Sequence, residues 1–192
     1  MNKILFVKPP DRYLENEFTY QQLGPHYLQS FLAEKGIPSD QLVLYEPSEI
    51  RKRRESGELT DITLEQLNMF FVGESEHYDR PFDSKIFENY NIVGLSVMTP
   101  QAPDAYLLSK LLNKVHPNLT TVIGGSHPRY YFSSVVNLPE EIAFDFVVSQ
   151  DGWMPMYKIA SGEVKKGKKS SVLTIPVLLK DLPPPSRPIE LM

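Results

Sequence analysis

The chain has 192 residues, 41% of them hydrophobic and 23% charged, so it is long enough to bury a core and too apolar to be disordered. A net charge of -4 and a pI near 5.6 leave no electrostatic footprint for nucleic acid or an anionic membrane surface. The absence of cysteine excludes disulfides, zinc–thiolate sites and an iron–sulfur cluster held by this chain; it fits a cytoplasmic location, and no stretch has the length of a membrane span.

Lys3 to Val7 (KILFV) is a continuous apolar run closed by Pro9 and Pro10, as expected for a strand buried on both faces of a parallel sheet. Asp11 to Thr19 reads as a loop at the C-terminal end of that strand. Tyr20 to Lys35 carries Leu23, Tyr27, Leu28, Phe31 and Leu32 at helical spacing and stops at Gly36. Gln41 to Tyr45 is a second strand. Glu46 to Tyr90 exceeds an ordinary strand-to-strand crossover and reads as an insertion lying against the core. Within it Arg51 to Arg54 reads as a solvated helix face, Asp61 to Phe71 as a helix, and Pro81 to Tyr90 as another short helix. Asn91 to Met98 is the third strand, Gln101 to His116 a helix, and Thr120 to Ile123 the fourth strand, running into Gly124-Gly125-Ser126-His127-Pro128. Arg129 to Leu138 reads as a short helix, Phe144 to Ser149 as the fifth strand, and Met154 to Ala160 as a helix. Lys165 to Lys169 is a basic turn, and Ser171 to Leu179 reads as a sixth strand or a hairpin at the edge, given its internal Pro176. The run Pro183 to Pro185 lies in a proline-rich linker over 181–192.

Strands alternating with helices imply right-handed βαβ units, hence an α/β, flavodoxin-like (Rossmann-like) parallel sheet flanked by helices, with strand order 2-1-3-4-5 and one domain over residues 1–180. In that architecture the turns after strands one, three, four and five share one sheet edge, where such folds bind ligands. The candidate binding residues are therefore Pro10, Tyr13 and Leu14; Ser96, Met98 and Thr99; Gly124, Gly125, Ser126 and His127; and Asp151, Gly152 and Trp153. The Gly-Gly pair either admits a ligand close to the backbone or only makes a tight turn.

The pieces LGPHYLQSFLAEKGI, VGLSVMTPQAPDAYLLSKLL, TTVIGGSHP and FDFVVSQDGW, in that order, resemble the cobalamin-binding domain of cobalamin-dependent radical S-adenosylmethionine enzymes. The resemblance covers most of the chain outside Glu46 to Tyr90. It implies a cofactor-binding, non-catalytic part of a methyltransferase or related enzyme. The iron–sulfur cluster and S-adenosylmethionine would belong to a separate catalytic domain, in the parent chain or in trans. Leu182 to Ile189 resembles the connector toward that domain, so the chain is either a domain excised from a longer enzyme, which is the favoured expectation, or a stand-alone relative. Ser96 matches the family's serine, whose hydroxyl would bond the dimethylbenzimidazole nitrogen, and Gly124 and Gly125 match the Gly-Gly that lets the nucleotide tail pass. The alternative for Ser96 is a bond to its own backbone.

Two departures bear on this. The D-x-H-x-x-G motif that supplies a histidine to cobalt in other cobalamin proteins does not occur, since Asp11 is followed by Arg12, Tyr13 and Leu14. His26 falls inside the first helix, where packing or surface exposure explains it. Cobalamin would thus be bound base-off with no histidine ligand, its lower face near Tyr13, Leu14 or Met98. Of the family's G-E-G-E after strand five only Gly152 remains, with Asp151 as the acidic group and Trp153 as a stacking surface. The competing function is a flavodoxin-like docking or substrate-recognition module that no longer binds cobalamin. A nucleotide enzyme or hydrolase is disfavoured, because G-x-G-x-x-G, a Walker loop and G-x-S-x-G are all absent.

Overall fold

The computed structural model describes residues 2–11, 13, 23–73 and 80–175. The fold is α/β: a sheet of eight strands, mostly parallel, with helices on both faces. Its strands are β1 (Ile4–Lys8), β2 (Ser39–Tyr45), β3 (Asn68–Phe71), β4 (Arg80–Pro81), β5 (Ile92–Ser96), β6 (Thr120–Gly124), β7 (Phe146–Val148) and β8 (Ser171–Leu173). The spatial order is β4-β3-β2-β1-β5-β6-β7-β8. The parallel run β2-β1-β5-β6-β7 is the expected 2-1-3-4-5 order. The sheet is wider than that, with β8 parallel beyond β7 and the antiparallel pair β3–β4 beyond β2.

The helices are α1 (Leu23–Glu34), α2 (Ser48–Glu55), α3 (Ala102–Val115), α4 (Ser126–Tyr130), α5 (Phe132–Val136) and α6 (Trp153–Ser161). Because successive side chains of a strand point to opposite faces, two cores form. Leu5, Val7, Val93, Leu95, Ile123 and Val147 face α3. Ile4, Phe6, Ile92, Val122, Phe146 and Val148 face α1 and α6, which contribute Phe31, Leu32, Met156 and Ile159. Among the described residues no helix is long and apolar enough to cross a membrane.

The insertion differs most from the sequence reading. Asp61 to Phe71 is not a helix but a 3-10 turn, Leu64–Gln66, followed by β3. The edge of β2 explains the override. An open strand edge exposes unpaired N–H and C=O groups, and Asn68 to Phe71 pairs with it in register, Phe71 opposite Leu42 and Asn68 opposite Tyr45. Ser84–Asn89 is a 3-10 helix. Ile62, Leu64, Leu67, Met69 and Phe87 bury into the α3-side core, so the insertion covers the face opposite α1 and α6. The basic run on α2 is not merely solvated. Arg54 donates from Nε and Nη2 to the carboxylate of the buried Glu46, at 3.1 Å in each case. Arg129 to Leu138 is likewise not one helix: α4 begins at Ser126, and α5 restarts after Tyr131.

The turn Lys165 to Lys169 closes the other edge. Asp145, its side chain 1% exposed, lies 3.1 Å from Lys166 Nζ and 2.8 Å from Lys169 Nζ. It also accepts from the backbone N–H and the hydroxyl of Thr121. Two lysines and a strand N–H thus compensate one buried carboxylate and fasten the chain leading into β8.

Candidate functional site

On the α1/α6 face, Gly94 and Ser96 of β5 and Gly124 of β6 occupy inward positions where neighbouring strands carry large side chains. Ser96 lies beside Gly124 in register, and Gly94 lies between Phe6 and Val122. These small residues leave a trough in the sheet. Gly24 of α1 and Gly152 before α6 extend it across the helices. The result is a cavity of about 230 Å³ at the C-terminal edge of the parallel strands, walled by Phe6, Leu28, Val122, Val148, Trp153 and Met156 and opening past Gln150 and Asp151. It exists because side chains are missing. A Cβ on Gly94 would sit 3.1 Å from the Phe6 ring and 3.5 Å from Met156 Cε, and one on Gly24 would sit 3.9 Å from Ser96 Oγ.

Ser96, Gly124, Gly125, Asp151, Gly152 and Trp153 line this cavity, drawn from three separate turns. The Ser96 hydroxyl has no hydrogen-bond partner among the described residues, so the bond to its own backbone does not form. Trp153 packs edge-on against Tyr27 and Phe31, with centroids 5.8 and 5.9 Å away, which holds the N-terminus of α6 against α1. Gly124 and Gly125 have different duties. Gly124 is open to the cavity, the nearest neighbour of an added Cβ being Val148 at 3.8 Å. Gly125 has φ 97° and ψ -167°, a conformation that only glycine adopts readily, and an added Cβ would lie 2.7 Å from both the N and the O of Val97.

The remaining candidates are not brought into the cavity. His127 lies on the α3 side. Its Nε2 is 2.8 Å from Tyr106 Oη, its Nδ1 is 3.4 Å from Thr99 Oγ1, and its ring stacks on Tyr131 with centroids 5.2 Å apart. Burial lowers its pKa below the ordinary value, favouring the neutral ring. It therefore pins the turn after β6 to α3. Pro10 is buried, whereas Tyr13, Met98, Thr99 and Ser126 are exposed, and Leu14 lies outside the described residues. His26 is packed within α1, with Nδ1 3.1 Å from Gln41 Nε2. Gln101, missed in the sequence, is fully buried. Its side chain accepts from Met98 N–H at 2.9 Å and donates to Pro9 C=O at 3.1 Å, tying the turns after β1 and β5 together. Gly24 and Gly94 were the other missed contributors. The period-two spacing of Gly94 and Ser96 within one apolar strand was the available signal.

A larger, more polar groove of about 580 Å³ lies at the opposite sheet edge, lined by Tyr90, His116, Asn118 and Lys165 among others. It sits at the strand starts, whereas ligands of open α/β sheets bind at the strand C-termini. Among the described residues no cluster of three or more His, Asp or Glu could hold a metal ion. No protein-family model matches the chain, no curated protein is significantly similar to it, and no solved structure matches it significantly.

Proposed function

We propose that the chain binds cobalamin base-off, without a histidine ligand to cobalt, as the cofactor domain that serves a radical S-adenosylmethionine enzyme. The observation that carries this reading is the cavity formed by Gly24, Gly94, Ser96, Gly124 and Gly152. Its chemistry fits the nucleotide end of the cofactor. The walls are apolar, the opening lies at the strand C-termini, and the Ser96 hydroxyl, without a partner among the described residues, can donate to a ring nitrogen of a flat bicyclic base. Exposed Tyr13 (83%), Met98 (38%) and Tyr130 (76%) offer apolar surface on the same sheet edge for the flat corrin. Among the described residues, His26 and His127 near that edge both have protein partners, which supports a cobalt without an imidazole ligand.

When bound, cobalamin would supply the methyl-carrying chemistry. The chain's own residues bind and orient it. Gly94 and Gly124 keep the space clear, Ser96 fixes the base by one hydrogen bond, and Trp153 with Leu28 excludes water from it.

The test is a titration of the full chain with hydroxocobalamin, followed by desalting and ultraviolet–visible spectroscopy. The expected result is retained cofactor with a base-off spectrum. Ser96→Ala should weaken binding roughly threefold to tenfold, the worth of one hydrogen bond. Gly124→Val, which fills the cavity, should weaken it by about tenfold or more. No retention, or retention that Gly124→Val leaves untouched in a folded protein, overturns the reading.

A further inference from the structure

We propose that the cavity also selects among cobamides by their lower base, accepting a benzimidazole and rejecting a purine. This rests on the cobalamin reading above and goes beyond it to the identity of the ligand.

The cavity is polar only toward its mouth. Gln150 and Asp151 are exposed, and Ser96 is half-buried. The inner wall is Phe6, Val122, Val148 and Met156, each 3% exposed or less, and it carries no side-chain donor or strong acceptor. The backbone behind it is committed as well. Phe6, Gly94, Val122 and Phe146 form one continuous row of the β1–β5–β6–β7 ladder. A base suspended from a ribose at the mouth enters with its opposite edge innermost. In dimethylbenzimidazole that edge carries two methyl groups, which bury against Phe6 and Met156 and gain from leaving water. In adenine it carries ring nitrogens and an exocyclic amine, which lose their water and meet no partner. An unpaired buried polar group weakens binding by about tenfold or more.

The experiment compares dissociation constants of the full chain for cobalamin, for the cobamide bearing adenine as lower base, and for cobinamide, which has no base. Absorbance titration is the readout. Cobalamin is expected to bind tightest, with the adenine cobamide weaker by about tenfold or more. Met156→Gln, which puts an amide on the inner wall at similar volume, should narrow that ratio. Equal affinity for the two complete cobamides, or for cobalamin and cobinamide, would overturn the selection while leaving cobalamin binding intact. An unchanged ratio in a folded Met156→Gln protein overturns the assignment to this wall. If no cobamide binds, the cofactor reading falls and takes this one with it. Should Met156→Gln fail to fold, the wild-type ratio still decides.

Discussion

Gly125→Ala should cost the fold far more than Gly124→Ala, although the two glycines are adjacent. At Gly125 the backbone lies at φ 97°, ψ -167°, where a residue with a side chain costs about 1–3 kcal/mol. The new Cβ would also fall 2.7 Å from Val97 N and Val97 O. Both atoms are backbone, and both are engaged: Val97 N–H donates to Gly124 C=O at 2.8 Å, and Val97 C=O accepts from His127 N–H at 2.9 Å. Relieving the clash means losing or distorting these two bonds, about 0.5–1.5 kcal/mol each, at a residue that is fully buried. The total is about 2–6 kcal/mol, a large share of the roughly 5–15 kcal/mol available to a domain. At Gly124 an added methyl meets nothing closer than 3.8 Å, so stability should stay within about 0.5 kcal/mol. Urea unfolding of both variants measures this, as a shift of midpoint at unchanged slope. A loss below about 1 kcal/mol for Gly125→Ala, or equal losses for the two, would refute the division of labour between them.

Other perturbations test the pins that hold the site. Asp145→Ala takes the carboxylate from Lys166 and Lys169, which keep acceptors at Pro117, Leu119 and Asn113, and leaves the Thr121 N–H without its acceptor; because the lysines are also partly solvated, we expect a loss of about 3 kcal/mol by urea unfolding, and a loss under about 1 kcal/mol would mean the cluster is ornamental to stability. Burial lowers the pKa of both His26 and His127 from 6.5. The unfolded chain then binds protons more readily, so stability rises with pH between the folded value and 6.5 and is lost as pH falls through that window. The thermal midpoint should drop between about pH 7.5 and about pH 5.5, and less so in His127→Gln; identical slopes in the two proteins would exclude His127 as a source.

The parallel framework was legible because its strands are bounded runs, such as KILFV and TTVIGG, separated by helical periods. Strand pairing at the sheet's edge was not. Asn68 to Phe71 looked helical by spacing alone, and only the open edge of β2 made it a strand. The site was legible in part for a related reason. Turn residues such as Gly124, Asp151 and Gly152 stand out after apolar runs, and α/β topology gathers them at one edge. Which face each residue serves did not stand out, since a strand buried on both sides shows no polar alternation. His127 therefore looked like a ligand-facing residue, and Gly94 looked like an ordinary strand position.

The alternation of faces accounts for the way the strand ends work. At the end of β5, Gly94 and Ser96 look toward α1 and α6 and leave space, while Leu95 and Val97 look toward α3 and fill it. At the end of β6, Gly124 opens the cavity, Gly125 lets the backbone press against Val97, and His127 fastens the result to Tyr106. A cavity bounded by missing side chains would collapse if the backbone behind it could move inward. Here Gly94 and Gly124 are held from behind, because their strand neighbours Val93, Leu95 and Ile123 are hydrogen-bonded in the sheet and fully packed on the other face. A mutation on the α3 face, such as His127→Ala, should therefore weaken binding in the cavity without touching any residue that lines it. The matching change at Leu107, exposed on α3 and outside this network, should leave the Ser96 contribution intact. Comparing the Ser96→Ala effect on cobalamin retention in those two backgrounds separates a cavity held from behind from one that stands by itself. Equal Ser96 effects in both would mean the backing is dispensable.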